Sequence, residues 1–390
     1  MIILKFNLIQ IYFWLIKNIY IPKLRFKGFA DLLIRKKLND ICIIKKGDQI
    51  NNSELKESGL YYYQNGGIEP SGWLDDFNNE GNAISISEGG ESCGFIKWHD
   101  LPFWSGGHLY TLDINDKNIN KKYIYFLLKA NQKFIMKLRN GSSIPNIQKQ
   151  DLNKFFLFHS NNLNEQEKIA KFFSLLDQQI LLLENKLQLI EQIRLFLNNS
   201  LYKNTYKNGD EYFLEELLKN PKKEPIKDVS EYTPIKIMLN GKGFIKSNLD
   251  VKITDKGRKY YERSSGELII GLQNFHNKSI AILDDQFLKP IMSSAIASFI
   301  SKTDDDLFII KEMLLNKNHQ NYILNNASGT GQKEYTVNKI LQTKIKLPSK
   351  EIQQNYKNKF IKIDLLIELL NKKIKILNYR KLFYLKNIFI

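Results

Sequence analysis

The chain has 390 residues, 43% hydrophobic and 25% charged, which excludes a disordered protein and suits two or three domains rather than one. Lys and Arg number 58 against 41 Asp and Glu, a formal charge of +17. Such an excess favours a polyanionic partner, because neutralised phosphates release counterions; a Lys-, Asn- and Ile-rich composition from an AT-rich genome explains the charge equally well.

Residues 1–21 form an atypical apolar extension. Lys5, Asn7, Gln10 and Lys17 interrupt the run from Met1 to Tyr20, so it is too broken for a membrane-spanning helix. No basic leader region precedes it and no small-residue cleavage site follows. A packed extra helix and a misassigned start both remain open. Cys42 and Cys93 are the only cysteines and form no paired framework, which suits a reducing, cytoplasmic setting. Cys93, His99 and His108 share one stretch, but no CxxC or HxxxH spacing accompanies them, so no metal is expected.

Residues 22–162 read as a first globular domain with Gly-punctuated strand segments such as Leu60-Tyr61-Tyr62-Tyr63 and Ala83-Ile84-Ser85-Ile86-Ser87. Tyr123 to Arg139 reads as a helix, followed by the turn-rich Asn140-Gly141-Ser142-Ser143-Ile144-Pro145 and a strand at Phe155 to Phe158. Residues 163–203 then carry a heptad seam. Ile169, Phe173, Leu176, Ile180, Leu183, Leu187, Ile190, Leu197 and Leu201 fall at 4- and 3-residue steps, with Arg194 at one polar seam position. The polar run 204–210 reads as a linker.

The pattern then repeats. Residues 211–348 read as a second globular domain, with strand segments at Leu268–Leu272 and Ser279–Leu283, a helix over Leu307 to Leu324, a turn-rich Ser328–Lys333 and a strand at Lys344–Leu347. Residues 349–390 form a second heptad helix. Adding 187 to the first seam gives Tyr356, Phe360, Ile363, Ile367, Leu370, Ile374, Leu377, Tyr384 and Ile388, and carries Arg194 onto Lys381 and Asp177 onto Asp364. A parallel, in-register pair would set the two seam cations against each other, at a large desolvation cost. Antiparallel helices instead bring Arg194 near Asp364 and Lys381 near Asp177. The fold class expected is α+β: two mixed α/β domains in tandem, each followed by a long helix, the helices pairing as an antiparallel coiled coil.

Catalytic motifs are missing. An adenine methyltransferase needs an N/D-P-P-Y/F loop to hold the extruded base, and Asn220-Pro221-Lys222 is the nearest approach. Gly329-Thr330-Gly331-Gln332-Lys333-Glu334 lacks the G-K-S/T ending of a phosphate-binding loop. Glu88–Gly94 reads as a strand-to-strand turn.

Several stretches resemble one family, the specificity subunits of type I restriction-modification systems. Pro22–Phe29 with Lys37–Ile41 is similar to the opening of such subunits. Asn164-Glu165-Gln166-Glu167-Lys168-Ile169-Ala170, continuing to Leu176-Asp177-Gln178-Gln179-Ile180, is similar to their central region, and Ser328–Glu334 with Leu347-Pro348-Ser349 to the approach to their distal region. Two departures stand out: residues 1–20 have no counterpart, and Ile352-Gln353-Gln354 replaces the Glu-Gln-Glu of the first helix. The resemblance implies a subunit that is not itself an enzyme and that reads a bipartite, asymmetric site in double-stranded DNA. It implies two methylation subunits and restriction subunits as partners, no membrane, and no cofactor on this chain, S-adenosylmethionine and ATP belonging to the partners.

DNA reading needs phosphate-positioning cations and base-edge donors on exposed loops. Candidates in the first domain are Tyr63, Gln64, Asn65, Lys97, Trp98, His99 and Ser143; in the second, Lys242, Lys246, Arg258, Lys259, Arg263, Gln273, Asn274 and Lys333. Each has a plain alternative: Trp98 can be core, and an exposed lysine can simply be solvated. The competing functional reading is a coiled-coil scaffold without sequence-specific DNA contact; a third is a fragment of a transposase or other nuclease.

Overall fold

The computed structural model describes residues 2–3, 19–141, 145–248, 251, 253, 257–303, 305–325 and 335–390. Four of its helices carry the frame: α1 (Lys121–Ile135), α2 (Leu163–Asn208), α3 (Leu307–Leu315) and α4 (Lys350–Phe389). The chain divides into two compact units, Met1–Glu184 with Lys372–Ile390, and Asn185–Asn371. Each unit therefore holds part of α2 and part of α4.

In the first unit a four-stranded antiparallel sheet runs in the order 43–46, 109–113, 83–87, 96–99. A smaller sheet pairs 104–105 in parallel with 61–64, which forms a hairpin with 72–74. A third pairs 156–159 with 33–37, and 33–37 with Ile19–Tyr20. Within the extension, Ile2–Ile3 and Ile19–Tyr20 are strands, and Ile2–Ile3 pairs with Leu24–Arg25; residues 4–18, where an extra helix was one expectation, lie outside the described residues. The apolar face of α1 (Tyr123, Ile124, Phe126, Leu127, Leu128) closes the core together with Phe173 of α2 and Leu385, Ile388 and Phe389 of α4. Burying a side chain such as Phe173 contributes roughly 1.5–3 kcal/mol.

The second unit repeats this topology. Its main sheet runs 218–219, 296–301, 268–271, 280–282, and its second sheet again has a parallel pair, 290–293 with 233–237, and a hairpin, 233–237 with 244–246. Strand 210–213 pairs with 344–347 as 33–37 pairs with 156–159. The globular parts read as different from each other; they share one frame, and differ mainly by an added strand, 260–262, in the second and the 19–20 edge in the first.

The helices pair antiparallel within each unit. In the first, Asp177 Oδ1 meets Lys381 Nζ at 2.5 Å, and five residues earlier Phe172 packs on Tyr384, three residues later, with ring centroids 5.2 Å apart. In the second, Arg194 Nε donates to Asp364 Oδ1 at 2.6 Å, and six residues on Ser200 Oγ meets the Tyr356 hydroxyl, eight residues earlier, at 3.0 Å. Every heptad position of the seam is buried or half-buried: Ile169, Phe173, Leu176, Ile180, Leu183, Ile374 and Leu377 in one unit, Leu187, Ile190, Phe360, Ile363, Ile367 and Leu370 in the other.

Two details differ from the expectations. The run 204–210 is not a linker throughout, because α2 continues to Asn208. Its polarity reflects exposure of Tyr206, Lys207 and Asn208, while Thr205 is buried. The helix ends at Gly209, whose N–H returns to Thr205 O and where a Cβ would sit 2.6 Å from that oxygen and 2.7 Å from Leu347 O. The stretch 307–324 is two helices, Leu307–Leu315 and Lys317–Asn325. They break at buried Asn316, whose amide donates to Asn198 Oδ1 and Asn199 Oδ1 on α2.

Candidate nucleic-acid interface

Several candidate readers in the first unit are internal. Tyr63 is buried, its hydroxyl accepting from Ile50 N–H. Gln64 is fully buried; its amide donates to the carbonyls of Gly66, Gly67 and Glu69 and shapes the loop, while its Oε1 accepts from Lys97 Nζ at 2.7 Å. Lys97 also reaches Ile68 O, and burial lowers its pKa. His99 is stacked on Phe103 with centroids 3.8 Å apart, and its ring nitrogens meet Tyr62 OH and Ser85 Oγ. Burial and, secondarily, Lys97 push its pKa down to about 3, so it is neutral. Trp98 is half-buried, donates to Asp100 and lies under Lys122 Nζ at 3.8 Å. Tyr63, Gln64 and His99 are thus corrections: an aromatic, amide and imidazole run read as surface chemistry is a hydrogen-bonded wall of the core.

What this wall supports is a set of loops. Gly67 N–H donates to Ser92 Oγ, and His108 N–H donates to Asn65 Oδ1. Glu88 N–H donates to His108 O, Gly90 N–H to Pro145 O, and Asn140 and Asn146 exchange both backbone bonds. Asn65 is therefore gathered with the 88–94 turn and with Asn140, Pro145 and Asn146. Gly94 has φ +83° and a Cβ there would come 2.9 Å from Met136 Cα, so the turn tolerates only glycine. Lys46, His108, Arg139, Asn140 and Asn146 are exposed on or beside these loops and escaped the sequence reading. The clustered glycines 66, 67, 89, 90 and 94 were the available signal. Buried Glu88 would be raised by its burial, but hydrogen bonds from Lys46 and Tyr110 hold its carboxyl low. Ser143 lies outside the described residues.

The second unit assembles a loop edge of its own. Lys242 is exposed in the hairpin turn whose Asn240 and Gly241 N–H groups donate to Asn277 O and Lys278 O. Those acceptors follow Gln273 and Asn274, both exposed, on the short 3-10 helix Leu272–Asn277. Leu272 N–H donates to Ala295 O and Ser294 N–H to Lys259 O, which brings exposed Arg258 and Lys259 to the same edge. Tyr335 N–H also donates to Leu272 O. Lys246 is exposed on strand 244–246. Arg263 is a correction: it is buried and donates to Ser298 Oγ at 2.8 Å and Ile296 O at 2.6 Å, and burial lowers its pKa. Lys333 and the turn-rich 328–334 lie outside the described residues.

Amide side chains on a loop edge, flanked by lysines and arginines, have the chemistry of base-edge and phosphate recognition: Asn and Gln pair in bidentate fashion with adenine, and Lys and Arg meet phosphate. Among the described residues no group of three or more His, Cys, Asp or Glu could hold a metal ion, and no helix is long and apolar enough to cross a membrane.

A duplicated α+β frame thus carries two different polar, basic loop edges. Residues 35–192 match the family described as the type I restriction modification DNA specificity domain. A protein described as a type I specificity subunit from Mycoplasma genitalium is 34% identical over 171 residues, 44% of this chain and 43% of the relative. Another from Mycoplasma pneumoniae is 32% identical over 174 residues, 44% of this chain and 46% of the relative. The matched region thus spans less than half the length of these relatives. A crystal structure described as the S subunit of a type I restriction-modification system from M. genitalium shares the fold, with a TM-score of 0.71 at 19% identity over 95% of this chain and 99% of that one.

Proposed function

We propose that the chain reads DNA for a type I restriction-modification complex in the cytoplasm, each unit contacting one half of a bipartite, asymmetric site, with no catalysis of its own. The observation that carries this reading is the pairing of one repeated frame with two unlike edges: Asn65, His108, Asn140 and Asn146 on one, Lys242, Gln273, Asn274 and Lys259 on the other. A repeated frame with divergent tips is what two different half-sites demand.

The helices support the recruitment of partners. In the first unit Leu175, Leu181, Leu182, Leu382 and Phe383 are more than half exposed; in the second, so are Leu189, Leu195, Phe196, Leu365 and Leu369. The repeat interval of 187 relates Leu182 to Leu369, Leu195 to Leu382 and Phe196 to Phe383. Apolar clusters of this size mark docking surfaces, and two equivalent ones suit two copies of one helical partner, the methylation subunit that binds S-adenosylmethionine. Restriction subunits using ATP would join that assembly.

Co-purification with the methylation subunit tests this. A two-to-one complex that methylates adenine in a split site is expected, and the chain alone transfers no labelled methyl group from S-adenosylmethionine. Methyl transfer by the isolated chain, or a complex methylating without sequence preference, contradicts the reading.

A further inference from the structure

The first turns of α2 and α4 each contain one fully engaged glutamine at the same repeat position, Gln166 and Gln353, 187 residues apart. Gln166 is 0% exposed and Gln353 3%. In the first unit Gln166 Oε1 accepts from the N–H of Asn120 at 2.8 Å, and its amide donates to Ser160 O at 2.8 Å and Asn118 O at 3.2 Å. In the second, Gln353 Oε1 accepts from the N–H of Asp306 at 3.3 Å, and its amide donates to Pro348 O at 2.9 Å and Asp305 Oδ1 at 3.0 Å.

The partners are equivalent. Asn120 is the residue that caps α1, and Asp306 the one that caps α3, with φ, ψ of −79°, 115° and −78°, 113°. Ser160 and Pro348 each leave the strand that leads into the long helix. One side chain therefore joins three things at a single point: the incoming strand, the start of the long helix and the start of the recognition unit's inner helix. Around it the two sites differ. Glu165 beside Gln166 forms a bidentate pair with Arg25 at 2.6 and 2.7 Å, whereas Ile352 stands at the matching position beside Gln353. The neighbour changes and the glutamine does not, because this geometry needs one acceptor and two donors on one planar group.

We propose that Gln166 and Gln353 are positioning residues that fix the angle between each recognition edge and its long helix, and so set which separation of half-sites is accepted. This rests on the functional reading above. A lost amide leaves the Asn120 N–H and the Ser160 and Asn118 carbonyls without this partner in the first unit, and the Asp306 N–H and Pro348 carbonyl in the second, where Asp305 keeps Lys350; the inner helix can then turn against the long one. The reading edge swings with it. Neither glutamine approaches an exposed edge residue through these bonds, so sequence preference within a half-site does not depend on it.

The test uses the assembled methylation complex on duplexes carrying the native gap or a gap one base pair longer or shorter. The wild-type complex is expected to discriminate roughly ten-fold or more between native and altered gaps. The double variant Gln166→Ala, Gln353→Ala is expected to lose most of that ratio, through faster relative methylation of altered gaps, while a single base change within either half-site is penalised as in wild type. Folding is followed by the thermal midpoint, and if the double variant does not fold, the size-matched single variants Gln166→Met and Gln353→Met carry the same comparison. A folded variant with the wild-type gap ratio overturns the positioning role alone. A wild-type complex indifferent to the second half-site overturns the functional reading, and this proposal with it.

Discussion

Arg194 and Asp364 are 170 residues apart in sequence and meet at 2.6 Å, in a bond that also draws Glu312 of α3 to the same guanidinium at 2.8 Å. The cation that breaks the heptad seam thereby finds two carboxylates, and one of them is completely buried. Its counterpart, Lys381, has Asp177 at 2.5 Å as its ion-pair partner, and that carboxylate is 35% exposed.

The two seam breaks should therefore differ in sensitivity. Arg194→Ala leaves buried Glu312 with Lys311 as its one charged partner beside the Asn198 amide, and should destabilise the protein by about 3–5 kcal/mol. Lys381→Ala removes a half-exposed pair and should cost about 1 kcal/mol or less. Urea unfolding of the two variants measures both; equal losses would contradict the assigned networks.

Acid should act on Glu312 in a defined window. Its burial pushes the carboxyl upward, but Lys311 and Arg194 together outweigh this and hold it at about 2. The folded pKa is depressed, so the stabilisation is complete above the unfolded value of roughly 4.3 and is lost as pH falls through about 2. Glu312→Gln should flatten that part of the stability profile relative to wild type. An unchanged slope below about pH 4 would be inconsistent with an ionised, paired carboxylate.

Three buried histidines act at higher pH. Burial brings His99 to about 3 and His159 and His319 to about 4. Below roughly pH 6.5 the unfolded chain takes up protons that the folded chain refuses, so stability falls with each step in acid, by up to about 1.4 kcal/mol per histidine per pH unit. His99→Phe should remove one such contribution and leave DNA sequence preference intact, since the imidazole is stacked on Phe103 inside the core. A changed methylated sequence would show that His99 reaches DNA after all.

Lys242 and Asn274 should separate affinity from specificity. Lys242→Ala is expected to weaken binding of all sequences alike and to reduce the slope of log affinity against log salt by about 1. Asn274→Ala should instead relax preference at a position in one half-site, by about 1–3 kcal/mol of discrimination, with little change in the salt slope. Binding isotherms at several salt concentrations, on cognate and singly altered duplexes, distinguish them.

Much of the architecture was legible because it rests on periodicity. Heptads at 169–201 recur at 356–388 with their polar break, and like-charge repulsion between Arg194 and Lys381 already favoured opposed helices. The recognition edge was far less legible. Gln64, His99 and Arg263 have side chains that suit DNA, yet each satisfies backbone or neighbouring groups in the interior. Whether a polar side chain faces base edges or a buried carbonyl depends on how strands distant in sequence pack. Glu312 illustrates the same limit, since no local pattern announces that a glutamate within Leu307–Leu315 will meet Arg194.

The central claim, that each unit reads its own half-site, is tested most directly by exchanging residues 211–348 for the corresponding segment of a relative and mapping methylated adenines across a genome. The account predicts that one half of the methylated motif changes to the donor's sequence while the other half stays as in the parent. A motif altered in both halves, or in neither, contradicts it.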